Sequence, residues 1–406
     1  MKICIVCPRL CHGGAERVAV SLANGFVARG HEVVFFADLY EEQTYTLDES
    51  VQVQNLVSQT NNKLKKWGEA IRLLRKQLKK DKPDVIIGIM SLCSIVAQLA
   101  SMGLGIPVIA TEHNSYDRPS SIPLSKWEYI YKFYISKIFT CVTVLTKADM
   151  KYINGRLNNA VVIPNPLSMR PLHRDLNRDS IILAAGRVDS WHIKGFDVLI
   201  RAFGKLVQGL RSKVQDEGWK LVIAGVWRNP ETRTYLDGIA NECGVLDRIE
   251  YTGFIEDMQN LYAKTSIFVL SSRNEGMPMV LLEAMSQGCA CIATDFKGRC
   301  REIMCPQGQG SKLPPSLSRA PRLRDSTASV DDLRFKVQGS NNKVELCETG
   351  ILCEPDNVEA LAEAMKKMIE DDEYRESVRT KAIERSNYYS IENTMDRWEA
   401  LLKQIV

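Results

Sequence analysis

No stretch of this sequence stays apolar for the roughly 18 residues that a membrane-spanning helix needs. The G-x-x-x-x-G-K-S/T phosphate loop, the G-x-S-x-G elbow and the H-E-x-x-H zinc helix are missing. The dinucleotide fingerprint G-x-G-x-x-G is absent too, which weighs against a dehydrogenase. No D-x-D triplet occurs, so no evident carboxylate site awaits a metal–diphosphate complex, and neither a metal nor another cofactor is expected. Neither sign of charge dominates: 53 Lys and Arg stand against 49 Asp and Glu, which argues against a general nucleic-acid binder. No cleavable leader is visible ahead of the first strand-like run. A reduced, cytoplasmic setting is therefore expected.

Cysteine is plentiful, with twelve copies, but forms no metal pattern. Cys4-x-x-Cys7 lies along a strand-like run, which sends its sulfurs to opposite faces, and no second C-x-x-C exists. Cys4, Cys93, Cys141, Cys289, Cys291 and Cys353 fall in or beside apolar segments, where a free thiol behaves as a small hydrophobe.

What is present is a chain of 406 residues, 45% hydrophobic, long enough for two α/β domains. Strand-like runs at 2–7, 31–37, 51–57, 84–89, 107–112, 141–146 and 160–164 alternate with helical stretches. Pro164-Asn-Pro166 breaks the pattern, and 167–179 is polar without a period. Alternation restarts with strands at 180–186, 221–225, 249–253, 267–270, 290–294 and 350–353, and helices close the chain. The expectation is two doubly wound parallel-sheet domains facing a cleft, at 1–166 and 167–390. Residues 305–348, rich in Pro, Gly, Ser and Arg, read as an inserted surface loop.

Several polar groups sit where parallel sheets bind ligands, at the carboxyl ends of strands. Gly13-Gly14-Ala15-Glu16-Arg17 follows the first strand, and reads either as a ligand approach or as an ordinary tight turn. Thr111-Glu112-His113-Asn114 ends another, and His113 either faces a crevice or merely caps a strand end. Arg187 and Lys194 follow the first strand of the second half, and suit a diphosphate unless they are isolated surface charges. Glu275 and Glu283 flank a strand-to-helix turn, Gly276-Met277-Pro278-Met279. Its free N–H groups suit a phosphate or a sugar oxygen, while exposed helix glutamates are the plain alternative. Residues 63–82, KLKKWGEAIRLLRKQLKKDK, make an amphipathic basic helix. It suits either a peripheral contact with an anionic membrane or a sheet-covering role with a solvated basic face.

Taken together, the motifs GGAERV at 13–18, TEHN at 111–114, IPNP at 163–166, GRVDSWHIKG at 186–195 and NEGMPMVLLEAMSQG at 274–288 resemble the family 4 retaining glycosyltransferases. That resemblance implies the GT-B architecture of two Rossmann-like domains. It also implies a helix at 391–406 that packs back on the first domain. The reaction implied is metal-independent transfer from a nucleotide sugar, with UDP-sugar favoured and GDP-mannose second. His113, Arg187, Lys194 and Glu275 would be catalytic. Gly14, Gly276, Met277, Pro278, Met279 and Glu283 would hold the donor, Glu283 at its ribose. Arg17, Arg72 and Arg75 would meet the acceptor, a glycan linked to polyprenyl diphosphate at the inner face of the cell membrane. The subgroup most similar extends such glycans, as the bacterial N-glycan GalNAc transferases do. A sugar-nucleotide epimerase, or a protein that only binds nucleotide sugars, would share the architecture.

Overall fold

The computed structural model describes residues 1–11, 13–40, 44–57, 63–172, 177–209, 218–305 and 344–406. The chain divides into two compact units, Met1–Ser168 with Tyr389–Val406, and Met169–Tyr388. Each is built on a seven-stranded sheet.

In the first unit the order is β3-β2-β1-β4-β5-β6-β7, all parallel. The strands are β1 (Lys2–Arg9), β2 (Glu32–Asp38), β3 (Gln52–Asn55), β4 (Val85–Ile89), β5 (Val108–Thr111), β6 (Cys141–Val144) and β7 (Ala160–Val162). Strands β1, β2, β4 and β5 are apolar runs buried on both faces, as helix-covered parallel strands must be. Ile3, Ile5 and Cys7 of β1 join one face's core, and Cys4 and Val6 the other. The two sulfurs of the C-x-x-C therefore sit on opposite sides of the sheet.

Helix α1 (Gly14–Ala28) buries Val18, Leu22 and Phe26. It stops at Gly30, whose φ of 81° only glycine adopts without cost. His31 N–H then donates to Phe26 O at 3.1 Å and Gly30 N–H to Val27 O at 2.9 Å, which satisfies the last carbonyls. The final helix, Ile391–Ile405, lays Met395, Trp398 and Leu401 into the same core. Trp398 meets Phe26 edge-on at 6.1 Å.

The second unit has the order β10-β9-β8-β11-β12-β14-β13. Its strands are β8 (Asp179–Ala185), β9 (Lys220–Ala224), β10 (Ile249–Gly253), β11 (Thr265–Leu270), β12 (Ala290–Thr294), β13 (Val344–Cys347) and β14 (Gly350–Cys353). All pairs are parallel except β13–β14. This corrects the sequence reading of 305–348 as wholly a loop: its last residues form an antiparallel edge strand. Cys305 and Cys347 are joined by a disulfide with Cα atoms 5.8 Å apart. Residues 306–343 lie outside the described residues. No helix among the described residues is long and apolar enough to cross a membrane.

The strand orders decide where ligand-facing loops can gather. In the first unit the order reverses between β1 and β4, and in the second between β8 and β11. At such a reversal the following connections leave in opposite directions and open a crevice at the carboxyl ends.

Candidate active site

In the second unit the loops after β8 and β11 are neighbours because those strands pair. That pairing explains how residues 81 positions apart meet: Lys194 Nζ lies 2.5 Å from Glu275 Oε1. Ser272 Oγ donates to the same oxygen at 2.9 Å. Glu275 Oε2 takes no hydrogen bond from the described residues and remains an open acceptor.

The two loops are stitched together along their length. Ser271 Oγ donates to Lys194 O at 2.8 Å, and Arg273 N–H to Ile193 O at 2.8 Å. The Arg273 guanidinium grips Asp197 with both Nη atoms at 2.8 and 2.9 Å. Thr294 Oγ1, from β12, anchors Ser272 O at 2.6 Å. Gly195 makes this approach sterically feasible: a Cβ there would stand 2.0 Å from Ser271 O, and its φ is 65°. Sequence reading missed Ser271, Ser272, Arg273, Asp197 and Thr294. The polar residues clustered at these strand ends were the only signal.

Arg187 is exposed, and its guanidinium makes no ion pair or hydrogen bond among the described residues, although its charge helps keep Asp189 ionised. It lies ahead of the short helix α6 (Trp191–Lys194), which leads through Gly195 into α7 (Phe196–Gly209). A guanidinium with no hydrogen-bonded carboxylate, and an ammonium shared with one, suit a ligand bearing several negative charges.

The turn Gly276–Met279 enters the helix Met279–Ser286, with Pro278 as its N-cap residue. Gly276 and Met279 are partly exposed, whereas Met277 and Pro278 are buried. Any contact those two make with a ligand is through their backbone or a buried edge. Glu283 is only 2% exposed and accepts from the Tyr262 hydroxyl at 3.2 Å. The plain alternative of an exposed helix glutamate therefore does not hold. A carboxylate buried on a helix is held for a reason other than solvation.

In the first unit, the loop after β5 carries Glu112, His113 and Asn114. Thr111 Oγ1 donates to Gly88 O at 3.1 Å, so its oxygen accepts from His113 Nε2, 3.0 Å away. His113 in this tautomer presents Nδ1 as an acceptor; Nδ1 is buried and no described residue meets it in hydrogen-bond geometry, although the Asn165 side chain acts on the ring. Burial pushes the imidazole pKa down to about 4, against the opposing pull of the Glu112 carboxylate and Asn165. The ring is neutral at pH 7. Lys132, from α4 (Lys126–Phe133), is buried beneath it. Its Nζ pairs with Glu112 Oε2 at 2.7 Å, donates to Asn114 O at 3.0 Å, and sits 4.1 Å over the Tyr116 ring. Lys132 thus clamps the chain on both sides of His113. No sequence signal marks this pair, since an isolated lysine on a helix usually points to water.

After β1, a Cβ on Gly13 would overlap Glu16 Oε2 at 1.8 Å, while one on Gly14 would meet nothing within 4 Å. A side chain at position 13 would thus have to displace the Glu16 carboxylate, whereas Gly14 leaves open space beside the chain. Arg17 is half-buried in the first turn of α1.

The basic helix α2 (Lys63–Asp81) departs from its membrane reading. Ala70, Leu74 and Leu78 are buried in the core, with Trp67 and Ile71 packed against it. From Trp67 to Leu78 its apolar stripe packs on the core and is not available to lipid. Arg75 Nη1 donates to the carbonyls of Ala100 and Met102 at 2.8 and 2.7 Å, at the end of α3 (Met90–Ser101). That commits Arg75 to its own fold, whereas Arg72 is exposed.

Residues 12–169 match the family model described as Glycosyltransferase Family 4, and residues 179–320 match the one described as Glycosyl transferases group 1. The chain is 25% identical over 360 residues to an α-1,4-N-acetyl-D-galactosaminyltransferase of Campylobacter jejuni, named for a diNAcBac-PP-undecaprenol-linked GalNAc substrate. That match covers 86% of this chain and 94% of the relative. The amylovoran biosynthesis glycosyltransferase AmsD of Erwinia amylovora is 26% identical, over 73% of this chain and 81% of its own. Among solved structures, Anabaena HepE in complex with UDP and glucose superposes with a TM-score of 0.72 at 17% identity, over the whole of both chains. At that identity the likeness is one of fold.

Proposed function

The chain belongs to the family 4 glycosyltransferases and has their GT-B architecture, and from that premise we propose that it moves a sugar from a UDP-sugar to a growing lipid-linked glycan, with retention at the anomeric carbon and without a metal. The observation that carries this reading is Glu275: fixed through Oε1 by Lys194 and Ser272, it keeps Oε2 open, and the loop that supplies Lys194 also carries the exposed Arg187.

Transfer breaks the bond between the sugar's anomeric carbon and the diphosphate oxygen, and forms one to an acceptor hydroxyl. The acceptor proton passes to the departing phosphate oxygen, so no protein base is needed. The negative charge that grows on the leaving nucleoside diphosphate is met by Lys194 and Arg187, two cations that replace a metal ion in that role. Glu275 Oε2 accepts from sugar hydroxyls, Glu283 holds the ribose, and the backbone of Gly276–Met279 meets the phosphates. In the first unit, the bare Nδ1 of neutral His113 accepts a hydrogen bond from a sugar hydroxyl. The open space at Gly14 admits a ligand close to the backbone, and Arg17 and Arg72 serve the acceptor's phosphates. The similarity to transferases named for undecaprenol-linked glycans supports the acceptor class.

The test joins two measurements. A thermal-shift panel of nucleotides and nucleotide sugars is expected to stabilise selectively with UDP compounds, because a ligand that binds only the native state raises its stability. Selective stabilisation by GDP and GDP-mannose moves the donor to that class. With the donor in hand, Lys194→Ala is expected to lower turnover at least about tenfold, equivalent to roughly 1.4 kcal/mol of barrier. Near-normal turnover in that variant ends the assignment of Lys194.

A further inference from the structure

Among the described residues, exposed aromatic and aliphatic side chains concentrate on α4 and the 3₁₀ turn after it, Ile135–Ile138. Helix α4 is fixed at its start by a capping box between Ser125 and Glu128. Its inner side buries Tyr131, Lys132 and Phe133. Trp127, Ile130 and Tyr134 follow at three- and four-residue spacing and form an outward stripe; Trp127 is 56% and Tyr134 61% exposed. Tyr129 and Ile138 are exposed beside them, as is Tyr152 on α5 (Lys147–Ile153). Ring contacts join these elements into one surface: Tyr129 lies 4.9 Å from Phe133 and 6.3 Å from Tyr134, and Phe133 lies 6.4 Å from Tyr152.

The charges around this surface have one sign. Lys126, Lys137, Lys151 and Arg156 are exposed, with Lys137 over the Tyr134 ring at 5.8 Å and Arg156 over Phe133 at 4.1 Å. Between residues 126 and 156 the only acids are Glu128 and Asp149. Glu128 is paired with Arg118 at 2.5 Å, and Asp149 is buried at the start of α5. Exposed Trp and Tyr, ringed by cations with no free acid, suit a boundary that is apolar beneath and anionic at its surface.

We propose that the α4–α5 surface is where this protein docks on an anionic lipid bilayer, with Trp127, Ile130 and Tyr134 entering the headgroup region and the lysines meeting lipid phosphates. Helix α2, whose apolar stripe lies in the core, is not that surface. The inference stands on this patch alone and does not depend on which sugar is transferred.

Flotation with phosphatidylcholine vesicles, with and without phosphatidylglycerol, tests it. The full chain is expected to float with the anionic vesicles and not with the neutral ones. Trp127→Glu/Ile130→Glu/Tyr134→Glu and Lys137→Glu/Lys151→Glu are each expected to reduce binding by about tenfold or more. Lys76→Glu/Lys79→Glu on α2 is expected to leave it unchanged. Nucleotide-induced thermal shifts report folding and donor binding in each variant, so loss of docking and loss of the donor site are read separately. No binding to either vesicle, equal binding to both, or full binding by the triple variant overturns the proposal. So does a dimer in light scattering that the triple variant abolishes, since the surface would then belong to a second copy.

Discussion

At the scale of single residues, the candidate site is governed by how few hydrogen-bond positions are left open. Glu275 has one oxygen occupied and one open, and His113 has one nitrogen in use and one bare. The protonation of His113 follows a definite sign. Its folded pKa lies near 4, while an unfolded histidine titrates near 6.5. Between those values the unfolded chain holds a proton that the native one refuses. Native stability from this group is complete above pH 6.5 and falls as the pH drops towards 4. A denaturation series from pH 7 to about 4.5 should therefore show a shallower loss in His113→Gln than in the parent; parallel curves would mean that the ring is solvated. The residues themselves were readable: the two glutamates by their spacing, and Lys194 by its place after a strand. Their pairing was not, because it depends on which strands are neighbours. The Lys132–Glu112 pair was equally hidden, since burial of a charge is a property of packing and not of a motif.

At the scale of elements, the paired loops after β8 and β11 behave as one rigid piece. Gly195 is the point where this is most exposed to test. Gly195→Ala forces a Cβ against Ser271 O in a left-handed conformation, and it should destabilise the protein by more than about 1 kcal/mol. Gly14→Ala makes the opposite comparison. It adds a methyl where no protein atom lies within 4 Å, at the first position of a helix. Its melting temperature should stay at or slightly above the parent's, while the apparent KM for donor or acceptor rises. A Gly14→Ala variant with normal kinetics would show that no ligand comes near that turn. Most elements were legible because apolar runs alternated with helical periods. Strand β13 was not. It is four residues long, pairs antiparallel at an edge, and follows a stretch without a period.

At the scale of the whole molecule, the sequence break at Pro164-Asn-Pro166 lies close to where the chain leaves its first compact unit, after Ser168. The other crossing, at Tyr388–Tyr389, left no such mark, because the last helix joins the first unit through its apolar face and through pairs of Asp396 with Arg29 and Glu399 with His31, contacts between residues far apart in sequence. The disulfide also acts at this scale. Cys305, which precedes residues 306–343, stands 5.8 Å from Cys347, Cα to Cα, and Val344, which follows them, is three residues back along β13, about 10 Å from Cys347 at most. A few residues are enough to bridge such a gap. Replacing 306–343 with a short Gly-Ser linker should leave the melting temperature within a few degrees of the parent, since β13 remains paired to β14. A large drop would mean that the replaced residues contribute to the core of the second unit.

Helix α4 is eight residues long, and its two sides face different partners. One side holds the backbone around His113 through Lys132, and the other displays Trp127 and Ile130. Thermodynamic reciprocity then applies to this single helix. If seating the outer side on a surface and filling the site at His113 both favour the same placement of α4, each raises the affinity of the other by the same factor. Under that condition, filling the site at His113 would be felt as adhesion, and adhesion as readiness to bind.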